Sequence, residues 1–362
     1  MSVTTPVRPA PASVSFTAAR LPRIAPLLSV VVAAAAAGLV ALLLGWGLVA
    51  WVVLSGALHV VLLPLWARLV EGRRGATDRL VSGLVWSACA IAIVPLVSLL
   101  WTVVDRGLPR ISSTFLTFSM YRTDLDQEVG IYHALMGTLL ITLGAAIISV
   151  PVGIMAAIYL IEYGKGTRLA SWITFLVDVM TGIPSIVAGL FAFALFILLF
   201  GPSYRSGIGG SVALSLLMIP VVVRATEEML RLVPADLREA SYALGVPKWR
   251  TIVKVVLPTA LGGIVTGVTL AIARVVGETA PLLLIAGLTT RTNLNLFDGR
   301  MTTLPVLIYT QNANPGIAET PGGTPPGVEV AWGAALVLIL IVMLLNLVAR
   351  VIGRIFAPKT GH

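Results

Sequence analysis

Polarity alone divides the chain into long apolar runs separated by short polar ones. A helix needs about 20 apolar residues to cross the hydrocarbon core of a bilayer. The run from Ile24 to Ala67 is roughly twice that length, and Gly45-Trp46-Gly47 near its middle predicts two helices joined by a tight turn. Further spans are predicted over residues 80–104, 132–160, 172–200, 208–226, 259–287 and 332–352. Residues 1–23, rich in Pro, Ala and Ser, predict a disordered tail. Arg68, Arg73, Arg74 and Arg79 predict a basic loop before the third span, and a polar loop is predicted over residues 105–130. A long Gly-, Pro-, Asn- and Thr-rich loop is predicted over residues 288–331. The length and number of the apolar runs predict an all-α fold, a polytopic transmembrane bundle.

Composition supports this reading. Hydrophobic residues make up 57% of the 362 and charged ones 11%, against about 25% charged in soluble domains. The net charge of +9 would suit a nucleic-acid binder, but the basic residues sit in short loops between apolar runs, so topology accounts for them. Eight spans put both termini on one side. The opposite side holds Arg106, Arg110, Arg122, Arg205, Arg291 and Arg300. Arg274 lies within a span, and the other eighteen of the 25 Lys and Arg share the side of the termini. The positive-inside rule makes that side cytoplasmic and places the 288–331 loop outside. The first apolar run is too long for a cleaved signal core. Cys89 is the single cysteine and permits no internal disulfide.

The polar island from Arg224 to Pro258 separates two spans on the cytoplasmic side. Pro234 and Pro247 each suit the first turn of a short helix, and Gly245 suits the left-handed residue that ends the first. Pro258 predicts the next break, where the chain re-enters the bilayer. Glu239, Ala240, Ser241, Gly245, Val255, Leu257 and Pro258 hold a spacing similar to the EAA loop of ABC-importer permeases, with Ser241 for the second alanine and Val255 for isoleucine. The resemblance implies that this loop, residues 227–258, docks into a cleft of a cytoplasmic ATPase, with Glu239 at the contact and Gly245 at the bend.

Apart from Arg224 and Arg350, two residues from the ends of their spans, three charges fall inside predicted spans: Asp178, Arg274 and Glu278. An arginine near the bilayer centre costs about 2.5–3.5 kcal/mol, so each should have a partner. Arg274 and Glu278 are spaced to meet on one helix face. They form either a self-neutralising packing pair or a site in which Arg274 faces the transport path and Glu278 holds it until an anion competes. A guanidinium suits an oxyanion because its planar fork donates two hydrogen bonds together. Gly182 and Pro184 predict a mid-membrane break. It is either a kink packed by neighbours or the wall of a cavity, to which Thr181 and Ser185 would add hydroxyls. Asp178, one turn earlier, suits pairing with Arg274 in a structural or gating role rather than anion contact. Gly262, Gly263 and Gly267 predict close helix approach.

Gly277-Glu278-Thr279-Ala280-Pro281 after Arg274, with Gly130-Ile131-Tyr132-His133-Ala134 and the Thr181–Gly189 segment, resembles the PstA-type permeases of phosphate-import ABC transporters. The resemblance covers residues 80–356, a six-helix permease core, and leaves the hairpin 24–67 as two extra helices. It implies a substrate path at Arg274, Glu278, Thr279, Thr181 and Ser185. It implies a bacterial inner-membrane location, a PstC-type permease partner, a PstB-type ATPase dimer that binds the ATP, and a PstS-type phosphate-binding protein. His59, His133 and His362 have no metal-ligand spacing, and Tyr132 and His133 suit interfacial anchors. Gly164-Lys165 lacks the rest of a phosphate-binding loop, so the chain is not expected to hydrolyse ATP or to need a cofactor of its own. Two alternatives share these features: a permease for another oxyanion such as sulfate or molybdate, and a partner-free secondary transporter or channel.

Overall fold

The computed structural model describes residues 21–121, 129–202, 204–318, 321 and 323–356, with residues 354–356 as backbone alone. Almost all of the predicted tail, and residues 122–128 of the polar loop, lie outside the described residues. The described chain is helical throughout, and it divides into two compact units between Leu100 and Trp101.

The first unit is the predicted hairpin, α1 (Ala25–Leu44) and α2 (Leu48–Val70), followed by the start of α3 (Gly72–Gly107). Ala25, Ser29, Ala33, Ala37 and Ala41 recur every fourth residue, and all are buried. A seam of small side chains lets two helices approach closely in an apolar medium. Polar atoms along the seam pair internally: the Ser29 hydroxyl bonds His59 Nδ1 at 2.9 Å, and the Trp51 indole N–H donates to the Ala34 carbonyl at 2.9 Å. Gly45, at φ 65°, turns the chain where expected. The predicted basic loop is helix instead. Only Glu71 and Gly72 form a corner, with Gly72 at φ 81°, and Arg73, Arg74 and Arg79 ride the first turns of α3. Glu71 explains the difference, because it accepts from Arg79 at 3.2 Å and from the Leu21 N–H at 2.8 Å, which ties the corner down.

In the second unit the polar loop contains more helix than the sequence predicts. A tight turn, Leu108–Arg110, leads to α4 (Ser113–Thr117), which the Ser112 hydroxyl caps by accepting from the Phe115 N–H at 3.0 Å. Next come α5 (Tyr132–Ile158), which ends in a π-turn at Tyr159–Tyr163, then α6 (Arg168–Thr181) and α7 (Ser185–Phe200). The α6–α7 pair is bent by 109° at Gly182-Ile183-Pro184, the predicted break. Then follow α8 (Gly207–Leu232), α9 (Ala235–Ala243), α10 (Lys248–Thr251), a second π-turn at Ile252–Val256, α11 (Leu257–Val276) and α12 (Ala280–Ile285). The predicted outer loop holds α13 (Leu304–Ala313) and the start of α14 (Pro326–Phe356). Seven helices are long and apolar enough to cross a membrane, and the bent pair makes an eighth if it counts as one span.

The core forms where α5, α8 and α11 meet. Ile141, Leu214, Met218, Val222, Ala271 and Val275 are buried together. Glycines set the spacing: a methyl group on Gly153 would lie 2.7 Å from the Val222 side chain, and one on Gly267 would lie 2.5 Å from Ala225 Cβ. Gly263 and Gly267 therefore close α11 against α8 of the same chain, as their size predicts. His133 is buried rather than an interfacial anchor, because the 118–121 segment folds over it and the Met120 N–H reaches its Nδ1 at 3.4 Å.

Candidate coupling elbow and translocation path

The polar island folds into the predicted elbow. Pro234 and Pro247 stand immediately before α9 and α10 as their cap residues, where their fixed φ is compatible and no N–H is needed. Gly245 ends α9 at φ 73°. Its N–H bonds the Tyr242 carbonyl at 2.9 Å, and the Val246 N–H bonds that of Ser241 at 3.2 Å. Pro258 does not break the chain as expected. The π-turn at Ile252–Val256 precedes it, and the looser i→i+5 pattern accommodates the missing N–H, so helix runs on from Lys248 to Val276.

Two connections that the motif does not contain hold the elbow. Ser241 Oγ and Thr251 Oγ1 lie 2.8 Å apart, both residues buried, and join α9 to α10. This gives a physical role to the serine that stands where the family pattern has alanine. The second connection centres on Glu162 at the end of α5, whose side chain is 5% exposed. Arg238 Nε and Nη2 both donate to Glu162 Oε1, at 3.0 and 2.9 Å, while Nη1 and Nη2 donate to the carbonyls of Val233 and Leu230. Lys248 adds a hydrogen bond from Nζ to the Glu162 carbonyl and lies 4.9 Å from the Tyr163 ring. One residue thus anchors α9 and α10 to α5. Breaking such a buried ion pair on one side typically costs about 3–5 kcal/mol. A cavity of about 550 Å³ beside it is lined by Lys165, Arg231, Arg238, Tyr242 and Lys248.

The outward face of the elbow is a different kind of surface. Glu239 and Ala240 are exposed, and so are Leu237, Tyr242, Leu244 and Trp249, with Leu244 at 83%. Among the described residues Glu239 has no ion-pair partner.

Asp178 does not pair with Arg274. It meets Arg224 of α8, which also bonds Glu227 at 2.8 Å, and Glu227 in turn receives Arg231. The 224, 227, 231 spacing supports the extra turns that carry α8 past its predicted end. Asp178 is 61% exposed, so its pair with Arg224 adds little stability, on the order of 0–1 kcal/mol.

Arg274 and Glu278 do not share a helix face. α11 ends at Val276, Gly277 is its cap residue, and Glu278 and Thr279 lie in the break before α12. Arg274 is in the last turn of α11 and exposed, without an ion-pair partner among the described residues. A cation there complements the negative end of the helix dipole. The Thr181 hydroxyl is already engaged, donating to the Val177 carbonyl at 2.7 Å, while Ser185 opens α7 half-buried. The two breaks are drawn together through their following helices: a methyl group on Gly189 would lie 2.5 Å from Pro281 Cα, so the first turns of α7 and α12 are in contact. In sequence, Thr181 and Ser185 flank the first break, and Glu278 and Thr279 lie in the second.

The sequence held signals for the residues it left unassigned. Glu162 is the sole acidic residue between Val129 and Val177. The Arg224, Glu227, Arg231 spacing is that of an ion-paired helix face.

Residues 149–362 match the family model described as the inner membrane component of binding-protein-dependent transport systems. The phosphate transport system permease protein PstA 1 of Mycobacterium tuberculosis (strain CDC 1551 / Oshkosh) is 47% identical over 291 residues, 80% of this chain and 92% of its own. The phosphate transport system permease protein PstA of Yersinia pestis is 38% identical over 299 residues, 81% of this chain and 96% of its own. Among solved structures, an inward-facing form of the MetNI methionine ABC transporter matches with a TM-score of 0.48 and 21% identity, over 63% of this chain and 95% of its own. The chain is a multi-pass membrane protein and belongs to the family of binding-protein-dependent transport system inner membrane components.

Proposed function

We propose that this chain is one of two membrane subunits through which an ATP-driven importer carries inorganic phosphate into the cell. Its elbow is the observation that carries the reading: two short helices anchored to α5 through Glu162, with Glu239 and an apolar face turned outward. An exposed face of Leu237, Leu244 and Trp249 beside an unpaired carboxylate suits a protein partner better than water. That partner is a PstB-type ATPase dimer, which binds the ATP. The elbow and both termini then face the cytoplasm. A PstC-type permease covers the other half of the path, and a PstS-type protein delivers phosphate from outside.

Phosphate as the cargo is supported by the names of the curated relatives and by Arg274, a guanidinium at a helix end that no carboxylate among the described residues holds. Arg274 contacts the passing oxyanion, with Glu278, Thr279 and Ser185 around it at the junction of the breaks, and Asp178 supports the wall through Arg224. The test is phosphate uptake into proteoliposomes carrying the complete four-component system. Wild type should accumulate phosphate with ATP and ignore sulfate and molybdate. Arg274→Ala should abolish uptake while all subunits still co-purify. Equal uptake by that variant removes Arg274 from the path, and uptake of another oxyanion in preference to phosphate overturns the substrate.

A further inference from the structure

At the end of α5 remote from the elbow, roughly 45 Å away along the helix, lies a second cavity of about 520 Å³. Its wall is formed by the 120–121 segment, the start of α5, the irregular stretch from Leu288 to Arg291, and α13. Among the described residues no acidic side chain lines it. The surplus of hydrogen-bond donors there is specific in origin.

Among the described lining residues Arg291 is the one Lys or Arg. Nη2 donates to the Tyr121 hydroxyl at 2.8 Å, and the guanidinium lies 4.2 Å from the centre of the Tyr121 ring. No carboxylate among the described residues pairs with it. The Tyr121 N–H bonds the Thr290 carbonyl at 3.1 Å, so the two loop segments that present this pair are joined by a backbone hydrogen bond. The guanidinium is oriented in advance with donors to spare, and Tyr121, having accepted, keeps its own proton to give.

The neighbours continue the pattern. Thr289 Oγ1 accepts from the Arg291 N–H at 3.2 Å, which leaves its proton available. His133 Nδ1 accepts from the Met120 N–H at 3.4 Å, so the neutral ring carries its proton on Nε2. His133 is 2% exposed, and Nε2 has no hydrogen-bond partner among the described residues. A buried donor left unmatched is costly and uncommon.

We propose that this cavity is a docking site for the transported oxyanion, inorganic phosphate, on the face opposite the elbow, before the anion reaches Arg274. Arg291 contacts it, Tyr121 positions Arg291, and Thr289 supplies a further donor. This proposal rests on the phosphate reading above.

The experiment has two readings on one preparation. Equilibrium binding of radiolabelled phosphate is measured on the purified permease–ATPase complex without its external binding protein, and uptake is measured with that protein restored. Arg291→Ala should weaken binding about tenfold, the loss of one charge-assisted contact, and slow uptake. Arg291→Lys should recover part of both. Arg110→Ala, whose arginine pairs with Glu329 at 3.5 Å, should change neither. Should the alanine variant fail to assemble, Arg291→Gln, which keeps most of the stem, replaces it. Unchanged binding in an assembled Arg291 variant, while wild type transports phosphate, overturns the docking site alone. Displacement of phosphate by phosphatidylglycerol with no effect on uptake assigns the cavity to lipid and also overturns it. Failure of the wild-type system to take up phosphate overturns the function on which the site depends.

Discussion

Arg238 of α9 places two nitrogens on one oxygen of Glu162, at 3.0 and 2.9 Å, at the end of a helix seventy-six positions earlier in the chain. The contact is buried on the Glu162 side and half-buried on the other, with the Arg238 and Glu162 side chains 17% and 5% exposed. It gives the elbow a fixed seat on α5. Glu162→Ala should leave Arg238 buried and unpaired, at about 3–5 kcal/mol. Thermal unfolding of the purified complex should fall accordingly, and ATP hydrolysis should persist with less uptake per ATP. Arg238→Met combined with Glu162→Leu should recover much of the stability and little of the coupling. A double variant that also restores normal uptake per ATP would show that the pair serves folding only.

Ser241→Ala removes the partner 2.8 Å from the buried Thr251 hydroxyl and leaves it a long bond to the Pro247 carbonyl at 3.5 Å. The loss should be about 0.5–1.5 kcal/mol. Thr251→Val alone should cost a similar amount, and the two together less than their sum. A double-mutant cycle on thermal stability measures the coupling, and strict additivity would count against the bond.

Gly245 has φ 73°, and an added methyl group there meets no atom within 4 Å. The constraint is therefore backbone conformation and not space. Gly245→Asn should be tolerated, whereas Gly245→Val should cost roughly 1–2 kcal/mol or more and release the ATPase during purification. Equal co-purification by both variants would contradict this account of the bend.

Gly189 presents the opposite case. Its φ is ordinary, but a methyl group would lie 2.5 Å from Pro281 Cα. Gly189→Ala should push α7 off α12, destabilise the complex by about 1–3 kcal/mol, and impair uptake with the elbow and ATPase docking intact. Normal uptake by this variant would show that the two helix breaks work independently.

Much of this was legible in advance, and the reasons differ by element. Run length located the spans, because a bilayer imposes a minimum on any apolar helix. The elbow could be read because glycine and proline carry backbone information that survives without tertiary context. What failed depended on neighbours. Arg274 and Glu278 have helical spacing, yet Gly277 ends the helix between them, and spacing alone does not reveal where a helix stops. Asp178 had a candidate partner in Arg274, while its actual partner, Arg224, stands at the end of another span, where no sequence signal pointed to contact with it. Pro258 looked like a break until the π-turn before it absorbed the defect. Glu162 acquires its role from residues 76 and 86 positions away, a relationship that no local pattern encodes.

The unbroken helix from Lys248 to Val276 has a mechanical consequence. Lys248 is seated in the elbow, and Arg274 stands near the far end of the same rod, some 40 Å away at about 1.5 Å per residue. A stiff rod gripped at one tip magnifies rotation into travel at the other. A tilt of about 5° imposed where the nucleotide-driven partner would hold it swings Arg274 through roughly 3.5 Å over that length, more than the span of one hydrogen bond. If Arg274 meets the anion as proposed, it could thus be offered and withdrawn with no rearrangement of its immediate surroundings.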